Sequence, residues 1–244
     1  MSESSRDARA DITFLCPPEL HGSIPEPTRA GKALPDWFRD LPREMGIPFD
    51  DGLPGLTVRA CLPVADAMAL GWVIPLPVDV TAGTDPATGY LQFRWPEDAA
   101  LPPLGQHHPG QIGADGPGPF AGQSVLKWMN PWRVVLPAGW SALFVHPLGH
   151  YQLPFRAFAG AVDCDALDVP VNVPFLWTGG EAHLPAGTPM IQVIPFRRDL
   201  TRLDATVRAE SEEEAKSRAD TLARKHSEES VYAREWRRRH EREG

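Results

Sequence analysis

Leu136-Pro137-Ala138-Gly139 leads into Trp140-Ser141-Ala142-Leu143-Phe144-Val145-His146-Pro147, and the same phrase returns as Leu184-Pro185-Ala186-Gly187 before Thr188-Pro189-Met190-Ile191-Gln192-Val193-Ile194-Pro195. Each copy is a Pro-x-Gly turn feeding a short apolar run that ends at proline. Glycine supplies the positive φ of a tight turn, and proline presets the turn's first central residue. The runs that follow have strand length and strand composition. Two similar β-hairpins are therefore expected at the centre of a mainly β fold, a single sandwich or barrel.

The rest of the composition agrees. Proline, at 27 residues, has about twice its average usage and recurs every few residues from Pro17 to Pro195. That spacing excludes long helices and favours short strands with many turns. Short runs suited to a β-core are Val125–Trp128, Arg133–Leu136, Ser141–Val145, Phe155–Val162, Val169–Leu176, Ala182–Leu184 and Met190–Phe196. Upstream, 72–78 and 90–95 read as a hairpin across the Gly83–Gly89 loop, and Arg59–Ala69 as a strand entering a short helix or as buried coil. The stretch 96–122 reads as a long loop, of the kind that is functional or mobile.

Four segments follow from these signals. Residues 1–11 read as a disordered tail, 12–56 as a proline-rich arm packed on the body, 57–200 as the β-domain, and 207–243 as a charged helical extension. Within the arm, Pro35 to Leu41 holds a helix start signal, and Trp37 and Phe38 are placed to clamp it. In the extension, Ser211 to Glu214 has capping-box spacing. Apolar positions then run through Ala215, Ala219, Leu222 and His226 to Val231, Tyr232 and Trp236, with a break near Ser227–Ser230.

Charge and cysteine usage narrow the function classes. The net charge is −8 with no basic block in the body, which argues against non-specific nucleic-acid binding. No apolar run approaches the ~20 residues of a membrane span, and the polar start has no signal-peptide core. Three well-separated cysteines, Cys16, Cys61 and Cys164, read as reduced thiols, so a cytoplasmic protein is expected.

Chemistry-bearing residues are few. No Gly-rich phosphate loop follows a strand, and Gly139-Trp140-Ser141-Ala142-Leu143 lacks the second glycine of a nucleophile elbow. His146 and His150 flank Pro147 and Gly149, so their four-residue spacing does not align them on a helix. They, with His107 and His108, read as surface or hydrogen-bonded histidines rather than ligands. Asp163 and Asp165 point to opposite faces of any strand and share a cation only if they stand in a turn. Trp128, Trp132 and Trp140 suit a buried core, or stacking on a planar or sugar ligand. Neither a metal nor a cofactor is expected.

Gly179, Pro185 and Gly187 match the turn part of the second cupin motif, while Met190 and Ile194 stand where that motif places its metal ligands. From Pro137 to Phe196 the chain resembles the dUTPase and dCTP-deaminase (β-clip) family. Ala159-Gly160-Ala161-Val162-Asp163 is similar to that family's Ala-Gly-Val-Ile-Asp segment, and Gly187-Thr188-Pro189-Met190-Ile191-Gln192-Val193 to its Gly-Asp-Arg-Ile-Ala-Gln-Leu segment. The resemblance, over residues 137–196, implies a β-clip-like scaffold, often trimeric. It also implies that Asp163 orients a water and contacts a sugar, and that Gln192 helps bind nucleotide. Where that family grips phosphate with Pro-Arg-Ser-Gly, this chain has His146-Pro147-Leu148-Gly149, so the resemblance implies the scaffold without the phosphohydrolase.

Over roughly 55–200 the chain also resembles a family of uncharacterised bacterial and phage proteins, a domain of unknown function. The carriers are Arg59-Ala60-Cys61-Leu62-Pro63-Val64-Ala65-Asp66-Ala67, Gly71-Trp72, Asn130-Pro131-Trp132 and Pro137-Ala138-Gly139-Trp140.

Two functions are expected from these residues. The first is a non-catalytic binding or assembly module, a homo-oligomer (a trimer) or one with a protein partner on the C-terminal helix. The second is an enzyme acting on a small molecule such as a nucleotide. Its catalytic candidate is Asp163, with Gln192, Asp165, His146, His150 and Trp140 as ligand-binding candidates.

Overall fold

The computed structural model describes residues 11–48, 54–123 and 125–227. The expected tail at 1–11 lies, but for Asp11, outside them, as do Val231, Tyr232 and Trp236.

In chain order, the arm carries β1 (Thr13–Leu15), β2 (Thr28–Arg29), α1 (Asp36–Asp40) and the hairpin β3 (Glu44–Pro48) with β4 (Pro54–Leu56). After a turn of 3-10 helix come α2 (Leu62–Met68), β5 (Trp72–Pro75), β6 (Val80–Thr84), β7 (Leu91–Arg94) and β8 (Leu104–Gln106). β9 (Val125–Trp128), β10 (Arg133–Val135), β11 (Trp140–Val145), β12 (Phe155–Ala157) and β13 (Gly160–Val162) follow. β14 (Val173–Trp177), β15 (Ala182–Leu184) and β16 (Pro189–Arg197) complete the β part, and α3 (Glu212–Ser227) comes last.

Two larger antiparallel sheets carry the fold, one of five strands ordered β13-β11-β16-β5-β2 and one of four ordered β12-β14-β9-β8. A three-stranded sheet β15-β6-β7 and the pairs β1-β10 and β3-β4 complete it. The fold is mainly β, as expected, and among the described residues no sheet closes into a barrel. One core joins the inner faces. It contains Ile74 of β5, Trp128 of β9, Ala142 and Phe144 of β11, Phe175 of β14 and Val193 of β16. Trp128 stacks on Phe175 at 4.3 Å and meets Phe155 edge-on at 5.0 Å, so it serves the core, as does the buried Trp132.

Both Pro-x-Gly phrases form the same tight turn. Gly139 has φ 84° and Gly187 φ 90°, and Trp140 and Thr188 donate their amides to Pro137 and Pro185, each at 3.1 Å. The turn thus starts at proline, with alanine as its first central residue and glycine as its second, as in a type II turn. Proline therefore stands one place earlier than expected. Nor are the turns hairpins. β10 pairs with β1 while β11 pairs with β13 and β16; β15 pairs with β6 while β16 pairs with β5 and β11. In a two-residue hairpin the first turn residue must donate its N–H back to the fourth, and proline has none. The chain consequently leaves each turn into a different sheet.

Other local expectations are corrected in the same way. The 72–78 run does not pair with 90–95. Trp72–Pro75 joins the five-stranded sheet, and β7 pairs instead with Val80–Thr84. Pro75 and Pro77 interrupt the first run and release the chain into a second strand. Arg59–Ala69 contains no strand: a 3-10 turn at Val58–Ala60 precedes α2, which has proline in its first turn. The 155–162 run breaks into β12 and β13, which lie in different sheets. Finally, 96–122 is not a bare loop. It contributes β8, and Ile112, Ala114 and Phe120 pack with Val125, Phe158 and Leu176 in a second small core.

The chain divides into two units after Thr201. In the second, α3 starts with a reciprocal capping box. Glu214 N donates to Ser211 Oγ at 3.2 Å and Ser211 N to Glu214 Oε2 at 2.8 Å. Among the described residues no helix is long and apolar enough to cross a membrane.

Candidate functional site

The residues singled out from sequence separate into two groups along the β11–β16 ladder. Ser141 lies opposite Phe196 at one end and Val145 opposite Gln192 toward the other.

At the first end, β13 runs into a turn in which Ala166 N donates to Asp163 O. This turn brings Asp163 and Asp165 to one cation, Arg198, from just past the end of β16. Arg198 grips Asp165 with two hydrogen bonds, at 2.8 and 2.6 Å, and stands 3.4 Å from Asp163. The same guanidinium donates to Trp140 O at 2.9 Å, and Gly139 N donates to Asp165 Oδ2 at 2.8 Å. The Arg198 hydrogen bonds, then that amide, hold the Asp165 carboxyl down at about 2. Asp163 accepts the Ser141 hydroxyl at 2.6 Å, and Ser141 is buried. Asp165, held by guanidinium and amide, and Asp163, held by the Ser141 hydroxyl and 3.4 Å from the same guanidinium, together anchor the first Pro-x-Gly turn. Cys164 between them is buried, and burial pushes its thiol up to about 11, far from a nucleophilic thiolate. Trp140 is half-buried and borders a separate small cleft with Trp72, Pro137 and Pro195.

At the second end Gln192 is 1 % exposed and its amide is fully used. Oε1 accepts from Leu148 N at 2.9 Å, while Nε2 donates to Leu70 O at 2.6 Å and Met68 O at 3.4 Å. Met68 is the last residue of α2, where helix carbonyls lack partners within the helix, and Leu70 lies two residues beyond it. Gln192 thus ties the end of α2 and the turn after it to the sheet. Beside it the 147–151 turn receives the arm. Trp37 Nε1 donates to Gly149 O at 2.7 Å, His150 Nε2 to Ala33 O at 2.8 Å, and Phe38 is buried. Gly149, at φ 81°, leaves no room for a side chain: a Cβ there would stand 2.2 Å from Met68 Sδ.

His146 Nε2 donates to His150 O at 3.3 Å. Both imidazoles therefore carry their proton on Nε2, and both Nδ1 atoms are buried acceptors with no donor. Burial pushes both below the ordinary imidazole value. Among the described residues no three metal-ligating side chains come together. His108 is a local cap, accepting Gly110 N at 3.1 Å.

His150 also borders the largest cleft described, an open groove of about 820 Å³. Three segments far apart in sequence line it. The arm gives Lys32, Asp36 and Arg39; the turn after β11 gives His150 and Gln152; and the stretch 179–189 gives Glu181 and all of β15. Asp36 pairs with Arg39, Glu181 accepts Thr84 N at 2.8 Å and His183 meets Thr81 Oγ1 at 3.0 Å. Among the described residues Lys32 and Gln152 form no side-chain hydrogen bond or ion pair. Sequence reasoning missed this cleft and missed Arg198. The signal for Arg198 was its place after the last strand, beside the repeated turn; of the cleft's lining only His150 was a sequence candidate, since only tertiary packing joins its walls. Comparison with protein-family models, curated proteins and solved structures returns no match.

Proposed function

We propose that this protein is a non-catalytic binding module on a β-clip-like scaffold, and that its ligand sits in the cleft beneath the arm. The observation that carries this reading is the 820 Å³ groove whose walls hold Lys32 and Gln152, which among the described residues have no side-chain partner. The acids that an enzyme would need are, by contrast, spent on Arg198, Gly139 and Ser141. A cytoplasmic location goes with the reading, as does a homo-oligomer or a protein partner for the C-terminal helix.

The test is a thermal-shift screen of small polar compounds against the wild-type protein and Gly180→Leu. Gly180 lines the cleft and an added Cβ there meets nothing within 4 Å, so the variant sets a bulky side chain at the groove wall where its first carbon has room. A ligand at one hundred times its Kd stabilises by about 2.7 kcal/mol. Hits that raise the melting temperature of the wild type and not of Gly180→Leu are the expected result. Hits that act equally on both proteins would place binding elsewhere and defeat the proposal.

A further inference from the structure

The cleft follows a strand edge. Ala182, His183 and Leu184 are the whole of β15, and all three border the groove. Successive strand residues point to opposite faces of a sheet. Three in a row bordering one groove fits a groove that runs along the strand's edge, where residues of both faces meet it. β15 is the terminal strand of the β15-β6-β7 sheet, and its other edge is taken by β6. The groove therefore follows the edge to which every second residue turns its N–H and C=O, and among the described residues no backbone hydrogen bond joins that edge to another segment. Native edges of this kind are blunted by short length, lysine, proline or a covering element; β15 is short, at three residues, and contains neither lysine nor proline. Thr28, from the terminal strand β2 of the five-stranded sheet, borders the same groove.

We propose that the ligand of this cleft is an extended peptide segment of another protein, which adds a strand to the β15 edge and places an acidic side chain or terminal carboxylate on Lys32. This deepens the binding reading above and depends on it. Backbone pairing supplies the affinity in this mode, and side chains supply the selection. Lys32 supplies the preference for an acid: it is exposed, borders the groove, and among the described residues has no carboxylate partner, whereas neighbouring Arg39 is neutralised by Asp36. With about 3.3 Å per residue, the edge of β15 is about 10 Å long and pairs with a peptide core of about three residues.

The probe is a phage-displayed library of random twelve-residue peptides, selected on the full-length protein. An enriched peptide is then synthesised plain and with alternate backbone amides N-methylated on each edge. The proposal expects enriched sequences that share an acidic residue. It expects binding at least tenfold weaker for one methylated form, since each strand edge carries its own set of amides. It also expects at least fivefold weaker binding to Lys32→Glu, recovered when the peptide's acid is replaced by lysine. Slower hydrogen exchange at 182–184 in the complex would place the peptide on the edge. No enrichment over a blank surface, or full affinity for both methylated forms, overturns it. So does full affinity for Lys32→Glu. Small-compound hits lost in Gly180→Leu alongside a failed selection would sink this inference alone, while failure of both would sink the cleft itself.

Discussion

Gln192 is a buried amide whose donors and acceptor all have backbone partners. Removing it takes the partner from the Leu148 N–H and from the Met68 and Leu70 carbonyls at the end of α2. Each orphaned group of this kind costs about 1–3 kcal/mol. Gln192→Leu is therefore expected to lower the unfolding free energy by about 2–3 kcal/mol in urea titration; a loss under about 0.5 kcal/mol would show the tie to be dispensable. Asp165 gives a pH signature. Its folded value of about 2 lies below the unfolded carboxyl value, so the unfolded state binds the extra proton. The stabilisation is complete above about pH 5 and is lost as pH falls toward 2. In Arg198→Met the melting temperature should fall less steeply between pH 5 and 3 than in the wild type, and parallel curves would contradict the assignment. The two histidines act in a higher window. Burial lowers both, opposed at each by the carbonyl it donates to, His150 O for His146 and Ala33 O for His150, and at His150 also by Asp36; Arg156 and the His150 ring add to the lowering at His146. Their neutral forms favour the fold above about pH 6.5, and stability drops as pH falls below it. Thermal unfolding at pH 7.5, 6.5 and 5.5 checks this, with part of the slope missing in His150→Gln.

Two glycines of like conformation separate backbone strain from packing at the level of elements. Gly139 has φ 84° with open space around a Cβ, so Gly139→Ala should cost only the left-handed penalty of about 1–2 kcal/mol. Gly149 adds a collision with Met68 of α2, so Gly149→Ala should destabilise more; equal losses in urea unfolding would contradict the packing argument. The same elements show what the sequence could and could not reveal. Val125–Trp128 is a strand with the bounds its composition suggests, and the Ser211–Glu214 cap forms as its spacing requires. These depend on local chemistry. Strand partners do not: both Pro-x-Gly turns were legible, yet proline at their first position sends each chain into another sheet. Likewise the Asp163–Asp165 spacing made sharing a cation conditional on a turn, and the turn exists. The cation, Arg198, comes from a segment over thirty residues away that no local pattern joins to it.

For the whole molecule, the irregular arm matters most. Its 33–38 stretch is held by Trp37, Phe38 and the Ala33–His150 hydrogen bond, and in this position it forms one wall of the largest cleft described. The cleft was illegible in the sequence because its arm wall lies more than a hundred residues from the other two, and the repeated turn phrase at 184–187 marks a turn, not a groove. The resemblances drew attention to Asp163 and Gln192, which the packing uses to fasten a turn and a helix end. Chemical-shift mapping of a fragment library on the isotope-labelled wild-type protein tests this account most directly. The account predicts perturbed amides in 32–39, 150–154 and 179–189. Shifts centred instead on Ser141, Asp163 and Arg198 would contradict it and return those acids to the centre of function.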